Sequence, residues 1–419
     1  MNITYIAIGS ELLKGRIINT NLTKAGEMLR SVGLDLNKGI EIQDTKAAIL
    51  GNLAAEMAQA DVLILSGGLG PTSDDITKKT LAEFFGSELV YDMPALARLE
   101  KWFGDRGRVL SETNKMQALV PQGCTVLPNL KGTAQGMLFQ MDTNGQKKLV
   151  FSLPGVPHEM LYLLEYEVIP AIQQHFTTQY IQNHIFRLWG IAESDVADKL
   201  AHIEAQFPPQ LDVSYLPRMD GLWLELTFRG NQSEKTQASE ILTRFKGLIR
   251  KELEKYLYIE SKLPIEKELN AYFSEKKLTL AIAESMTGGG IAGKLVTIGG
   301  TSAFLKGGMV TYMTEIKIKQ LKIPAKLIKE KGVASPEVAQ AMAEAIRKKF
   351  KADIGIASTG FAEADEQHKM PYVWLGYADE TGCDSRQDYF FYDRAMNIER
   401  AVYAALVFLW RKLQERKEK

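Results

Sequence analysis

The sequence predicts an α/β protein: two three-layer domains based on parallel sheets, joined by a small α+β domain. Short apolar runs at 3–8, 63–65, 149–153, 278–283 and 354–358 alternate with stretches of helical spacing, the pattern of strands covered on both faces. Each run passes into a polar turn, and in open parallel sheets such turns share the carboxyl edge where ligands bind. The 419 residues exceed one ordinary domain, and 45% hydrophobic content supports several full-sized cores. Composition and turn placement divide the chain at 1–172, 173–262 and 263–419.

The bulk numbers exclude several classes of function. Lys+Arg equals Asp+Glu at 51 each, which argues against a partner recognised by phosphate neutralisation, so no nucleic acid is expected. Cys124 and Cys383 are the only cysteines and lie far apart, which argues against a disulfide framework or a thiolate zinc site. The first residues read as a strand without a basic leader, and the apolar run 403–410 is too short to span a bilayer. A cytoplasmic protein without membrane partners is the expectation.

In the first domain, strand 3–8 runs into Gly9-Ser10-Glu11 and then Asn19-Thr20-Asn21, with a helix following through Leu29 and stopping near Gly33. A second helical pattern, 47–60, leads to the run 63–65. That run enters Gly67-Gly68-Leu69-Gly70, then Asp74-Asp75, then helical spacing over 76–84. A strand, a glycine turn and a helix start form an anion cradle. Carboxylates beside it point to a divalent metal, because bare Asp would repel a phosphate. A tight turn with solvated acids fits the same residues. The third run, 149–153, ends in Pro154-Gly155-Val156-Pro157-His158-Glu159. Glu11, Asn21, Asp74, Asp75 and Glu159 are thereby expected to converge on one crevice.

The middle segment reads as strand 185–190, helix 192–206, strands 211–215 and 222–228, and a long helix 236–257. It carries no catalytic constellation, and its expected role is a spacer or dimer surface. In the last domain, the strand at 278–283 precedes Glu284-Ser285-Met286-Thr287-Gly288-Gly289-Gly290. A second strand, 308–312, precedes Lys317, and a third, 354–358, precedes Thr359-Gly360. Ser285, Tyr312, Lys317 and Thr359 can meet at one edge. A desolvated lysine can activate a serine, and N–H groups at Gly288 to Gly290 could accept an oxyanion. Ser285 and Thr287 as helix caps, with Lys317 solvated, fit the same spacing. A cation site from Glu363, Asp365, Glu366 and His368 is a further arrangement the acidic loop allows.

Taken together, Gly9 to Gly15 with Asn19-Thr20-Asn21, Gly67 to Asp75, Asn114 to Ala118, Pro128-Asn129 with Gly132-Thr133-Ala134, Leu153 to Met160, Glu284 to Gly289, Thr311-Tyr312 with Lys317, and Gly332 to Ser335 resemble the CinA family. The resemblance covers nearly the whole chain. It implies a molybdopterin-binding-like first domain that hydrolyses ADP-ribose with a divalent metal, and a last domain that deamidates nicotinamide mononucleotide. It assigns Asp74, Asp75 and Glu11 to the metal, and Gly67, Gly68, Gly70, Asn21 and Asn114 to the nucleotide. Ser285 becomes the nucleophile, Lys317 its base and Tyr312 an orienting donor, with Gly288, Gly289, Thr359 and Arg400 holding the mononucleotide. No cofactor is implied for the last domain.

The sequence departs from the family pattern at four places. Ser10 stands where many members have Asp, and Gln135 where many have Pro. The loop after Gly360 reads Phe361-Ala362-Glu363-Ala364-Asp365-Glu366-Gln367-His368-Lys369, where active members are rich in glycine and proline. Its three carboxylates oppose an anionic ligand. Val373-Trp374 replaces a small Gly-Thr pair and adds bulk. The expected function is a hydrolase of pyridine-nucleotide salvage, a homo-oligomer such as a dimer, with small nucleotides as its partners. The alternative is a non-catalytic nucleotide-binding or regulatory protein with a degenerate last-domain pocket.

Overall fold

Alternate residues of each strand face opposite layers, and the buried side chains of this chain sort accordingly. The computed structural model describes every residue except Ser73, Asp74, Asn144, Gln367, Glu418 and Lys419. It divides into two compact units, 1–181 with 229–236, and 182–228 with 237–419.

The first unit holds β1 (Ile3–Ile8), β2 (Leu36–Ile42), β3 (Val62–Ser66), β4 (Leu89–Tyr91), β5 (Leu119–Pro121), β6 (Thr125–Leu127), β7 (Gly136–Thr143) and β8 (Gln146–Leu153). Six of them form one sheet in the order β2-β1-β3-β8-β7-β6. β2, β1, β3 and β8 run parallel, whereas β7 and β6 are antiparallel additions. Ile3, Tyr5, Ile64 and Phe151 pack with Ala25, Leu29 and Ile172 on one face. Ile6, Ile8, Leu63, Leu65 and Val150 pack with Ile49, Leu53 and Leu81 on the other. That is the expected three-layer arrangement. The pattern of apolar runs does not announce β2, β6 or β7. β2 is an edge strand whose Asn37, Lys38 and Gly39 break the apolar run.

The second sheet follows the order β10-β11-β9-β12, from β9 (Tyr180–Leu188), β10 (Leu211–Arg218), β11 (Gly221–Gly230) and β12 (Leu257–Ile259). Within the second unit, residues of this segment bond directly to the last domain. Trp189 Nε1 donates to Asp388 at 3.0 Å, and Trp410 Nε1 donates to the Tyr258 carbonyl at 2.9 Å. Shared hydrogen bonds and a shared apolar core containing Trp189 and Tyr258 explain why contacts merge the two.

The last sheet comprises β13 (Leu280–Glu284), β14 (Leu305–Val310), β15 (Ile354–Phe361), β16 (Tyr372–Ala378) and β17 (Cys383–Tyr389), in the order β14-β13-β15-β16-β17. β14, β13 and β15 are parallel, so their carboxyl ends share an edge. β16 and β17 continue antiparallel. Leu280, Ile282, Ile354 and Ile356 face helices that include Leu269, Ile291 and Leu406. Ala281, Ala283 and Ala357 face Val338, Met342 and Ile346. Those small residues let helix Pro336–Phe350 lie close to the sheet. A Cβ on Gly376 would stand 2.0 Å from the Ala339 carbonyl oxygen. Gly376→Ala should therefore cost about 3 kcal/mol, read as a lowered denaturant midpoint at unchanged slope; a midpoint within error of the parent would contradict this close approach.

Candidate functional site

The carboxyl ends of β13, β14 and β15 build a cleft of about 540 Å³ lined by Ser285, Tyr312, Lys317, Thr359, Glu363 and Arg394 among others. Ser285 follows β13 directly, its N–H held by the Ser358 carbonyl at 2.9 Å. Lys317 lies on helix Thr314–Leu321 and is fully buried. Its Nζ stands 2.8 Å from Ser285 Oγ, 2.8 Å from the Thr311 carbonyl and 3.2 Å from the Tyr312 carbonyl. No carboxylate pairs with it among the described residues, and burial lowers its pKa to about 8. A neutral amine has two N–H donors and one lone pair. With both donors on the carbonyls, the lone pair is left for the Ser285 hydroxyl proton.

Glu284, buried at the end of β13, controls the next turn. Its Oε2 accepts the N–H groups of Gly289 and Ile291 and the Thr287 hydroxyl, while Oε1 accepts the N–H of Ala292. Thr287 Oγ1 also meets Ser358 Oγ at 2.6 Å. At the mouth, Arg394 Nη1 donates to Glu363 Oε2 at 2.8 Å and Nη2 donates to Tyr312 Oη at 3.1 Å.

The first unit brings its own set of residues together after β3 and β8. Gly67 and Gly68 have φ of 122° and 67°, a region that favours glycine. A Cβ on Gly67 would fall 2.1 Å from the Ile8 carbonyl oxygen, and one on Gly68 2.1 Å from Thr77 Oγ1. Asn21 Nδ2 donates to the Gly155 carbonyl at 2.8 Å, and Ser66 Oγ donates to the Pro154 carbonyl at 2.9 Å. Asn21, the β8 turn and the β3 turn thus meet. Asn21 Oδ1, Thr77 Oγ1 and Gln117 Oε1 are buried without a hydrogen-bond partner among the described residues. Asp75 Oδ2 accepts the N–H of Thr72 at 3.0 Å, with Gly70 leaving the space its carboxylate fills. Lys78, which the sequence presents only as a helix residue, is buried with Nζ on the Gln117 carbonyl at 2.8 Å; burial lowers its pKa to about 8, against the opposing pull of Asp75.

Comparison with known proteins decides the family. The "CinA C-terminal domain" matches residues 262–413, the "Probable molybdopterin binding domain" residues 4–174, and the "Damage-inducible protein CinA KH domain" residues 183–258. A CinA-like protein of Cytophaga hutchinsonii is 36% identical over 98% of this chain and 97% of its own. One from Flavobacterium psychrophilum is 35% identical over 99% of each. The chain belongs to the CinA family. Among solved structures, a CinA protein of unknown function from Thermoplasma acidophilum is 34% identical, covering 42% of this chain and 96% of its own, at a TM-score of 0.36.

Several assignments made through the CinA resemblance change on the structure. Gly288 and Gly289 do not offer N–H groups to a ligand: Gly288 donates to the Ser285 carbonyl at 3.1 Å and Gly289 to Glu284. The Glu284 carboxylate already fills the helix start where an oxyanion was expected. By contrast, the N–H of Met286, next to Ser285, donates to no group among the described residues. Arg400 lines no part of the cleft. Its guanidinium donates to the Arg218 and Met219 carbonyls and lies over Trp189. Arg394, six residues earlier on the same helix, faces the cleft instead. Tyr312 orients Lys317 through its carbonyl, whereas its phenol is exposed and engages Arg394. Thr359 reaches the cleft but commits its hydroxyl to the Val333 carbonyl at 2.8 Å.

Other expectations need similar adjustment. Val373 sits in the core, and neither it nor Trp374 lines the cleft, so the added bulk stays outside it. The loop carboxylates do not assemble a cation site: Glu363 pairs with Arg394 and Asp365 with His368. In the first unit, Asp74 lies outside the described residues. Glu11 is exposed, and Asn114 makes no side-chain hydrogen bond among the described residues. No group of three His, Cys, Asp or Glu is arranged to hold a metal among the described residues. Glu159 is buried against Asn129 Nδ2, and desolvation raises its pKa.

Removing the Glu284 carboxylate strands three backbone N–H groups and takes one of its two partners from the Thr287 hydroxyl. Glu284→Ala should destabilise the protein by about 3 kcal/mol or more, whereas Glu284→Gln, which keeps an acceptor, should lose less. Equal denaturant midpoints for the two variants would contradict the capping role.

Proposed function

We propose that this CinA-family chain is a hydrolase whose last-domain cleft breaks a carboxamide by serine acyl transfer, with nicotinamide mononucleotide as the amide implied by family resemblance. The observation that carries this reading is the Ser285–Lys317 contact at 2.8 Å, with the lysine buried and unpaired by any carboxylate among the described residues. Neutral Lys317 takes the Ser285 proton as Oγ bonds to the amide carbon. The amide oxygen then carries the charge, and the Met286 N–H would be its donor. Lys317 returns the proton to nitrogen, the C–N bond breaks and ammonia leaves. Water, deprotonated by Lys317, attacks the acyl ester, releasing the nicotinate product and restoring Ser285.

For the first unit, the reading is hydrolysis of ADP-ribose to AMP and ribose 5-phosphate. A protein cage of three carboxylates is not what its donors resemble. They fit a hard ion that takes one or two carboxylates and completes its shell on substrate phosphates; Asp75 would hold it, with Asp74 beside it in sequence. When bound, such an ion neutralises charge on the diphosphate. The glycine turn would give the diphosphate close approach to the backbone, and Thr77 Oγ1, set against Gly68, is a buried polar atom without a partner among the described residues. A regulatory, non-catalytic reading of the last domain is favoured by one observation: Glu363 already occupies Arg394 at the cleft mouth.

Ammonia release from nicotinamide mononucleotide by the parent chain tests the first reading. Ser285→Ala and Lys317→Ala should each lower kcat at least about 100-fold, and absence of release by the parent refutes deamidation. Because the base works when unprotonated, kcat/KM should rise with pH and level off above about 8, the value to which burial lowers Lys317; a flat profile from about pH 6 to 9.5 contradicts that assignment. At the first unit, metal-dependent AMP formation from ADP-ribose should vanish in Asp75→Ala, and undiminished turnover removes Asp75 from the metal.

A further inference from the structure

The acidic loop brings one carboxylate onto the only guanidinium among the described residues lining the Ser285 cleft. Arg394 opens helix Arg394–Lys417, but the helix end itself is filled, since Asp393 Oδ1 accepts the Met396 N–H at 2.9 Å. The guanidinium is therefore the anion-binding group at the mouth. Its Nη1 holds Glu363 Oε2 at 2.8 Å and its Nη2 holds Tyr312 Oη at 3.1 Å. Asp365 does not compete for it: that carboxylate takes the N–H and Nδ1 of His368, whose ring stacks on Phe361 at 3.9 Å.

We infer that Arg394 and Tyr312 form a phosphomonoester subsite, and that Glu363 is a built-in competitor which an incoming phosphate must displace. This rests on the reading of the cleft as a mononucleotide site and adds the residue that sets its affinity for the phosphate. A guanidinium receives a phosphate through two parallel N–H···O bonds and gains more from a dianion than from one carboxylate. The Arg394–Glu363 pair is half-exposed, and a pair of that kind contributes modestly, so it can open for a ligand yet still oppose binding. The loop that departs from the family pattern thus weakens phosphate recognition by occupying it, and leaves the Ser285–Lys317 contact intact.

Ribose 5-phosphate, which has no amide, is the calorimetric probe, titrated into the full chain. Heat that persists in Arg394→Gln belongs to another site and is subtracted. Glu363→Gln should tighten the remaining binding by about three- to fivefold, the scale of an exposed ion pair. Glu363→Ala should do the same, and either change made on the Arg394→Gln background should give no gain. Equal affinity in the parent and both Glu363 variants, or an Arg394→Gln isotherm that matches the parent, overturns the inference. The amidase chemistry is read separately, as ammonia released from nicotinamide riboside, which lacks the phosphate. Failure of that release leaves the binding result standing, and failure of the binding result leaves the Ser285 chemistry standing.

Discussion

Lys317 is placed where an ammonium ion is poorly tolerated. Two carbonyls and a hydroxyl surround its nitrogen, and no carboxylate among the described residues answers it. Burial disfavours the charged lysine and lowers its pKa to about 8. The carbonyls of Thr311 and Tyr312 can stand there because the chain leaves β14 at Val310, and the N–H of Thr311 turns to the Glu284 carbonyl. The Ser285–Lys317 geometry is thus a consequence of where two parallel strands end. It needs β13 to deliver Ser285 and β14 to deliver the carbonyls at the same edge.

The same edge explains why the glycine-rich turn is not itself a ligand cradle. A helix start attracts negative charge, and an empty one would compete for the substrate's own anionic groups. Glu284 fills it from within the protein, fixing the turn that carries Ser285 while removing its field from the cleft. The exposed charge of the cleft lies instead at its mouth, in the Arg394–Glu363 pair. Hydrogen-bonded backbone around Ser285 and a half-exposed ion pair at the rim are thus separate features of one cleft.

Much of this is legible in the sequence. Runs such as 3–8 and 354–358 read as strands because both faces are covered and the apolar character is continuous. β2 does not, since an edge strand with one open face carries no continuous apolar run. Ser285 and Lys317 can be paired because the strands preceding them end at one edge. The burial of Lys317 is invisible locally: helix Thr314–Leu321 has only a modest apolar stripe, and a lysine there reads as solvated. Arg400 and Arg394 lie six residues apart on one helix, and only packing against Trp189 shows which one is turned from the cleft. Glu284 lies within the motif that carries the family resemblance, but its role is four contacts made around a turn whose path no spacing rule gives.

The two candidate sites differ in how complete they are without a ligand. Around Ser285 the polar atoms of Glu284, Thr287, Ser358 and Lys317 all have partners, so the chemistry is held ready and preorganised. In the first unit, Asn21 Oδ1, Thr77 Oγ1 and Gln117 Oε1 are buried without partners among the described residues, and an unanswered buried polar group costs stability. Of the three, Thr77 Oγ1 is the one set against the glycine turn, beside Gly68. The tension is greatest where Gly68 has to be glycine to make room for that hydroxyl. The turn at Ser285 thus spends its polar atoms on the fold, whereas these first-unit atoms have no protein partner among the described residues.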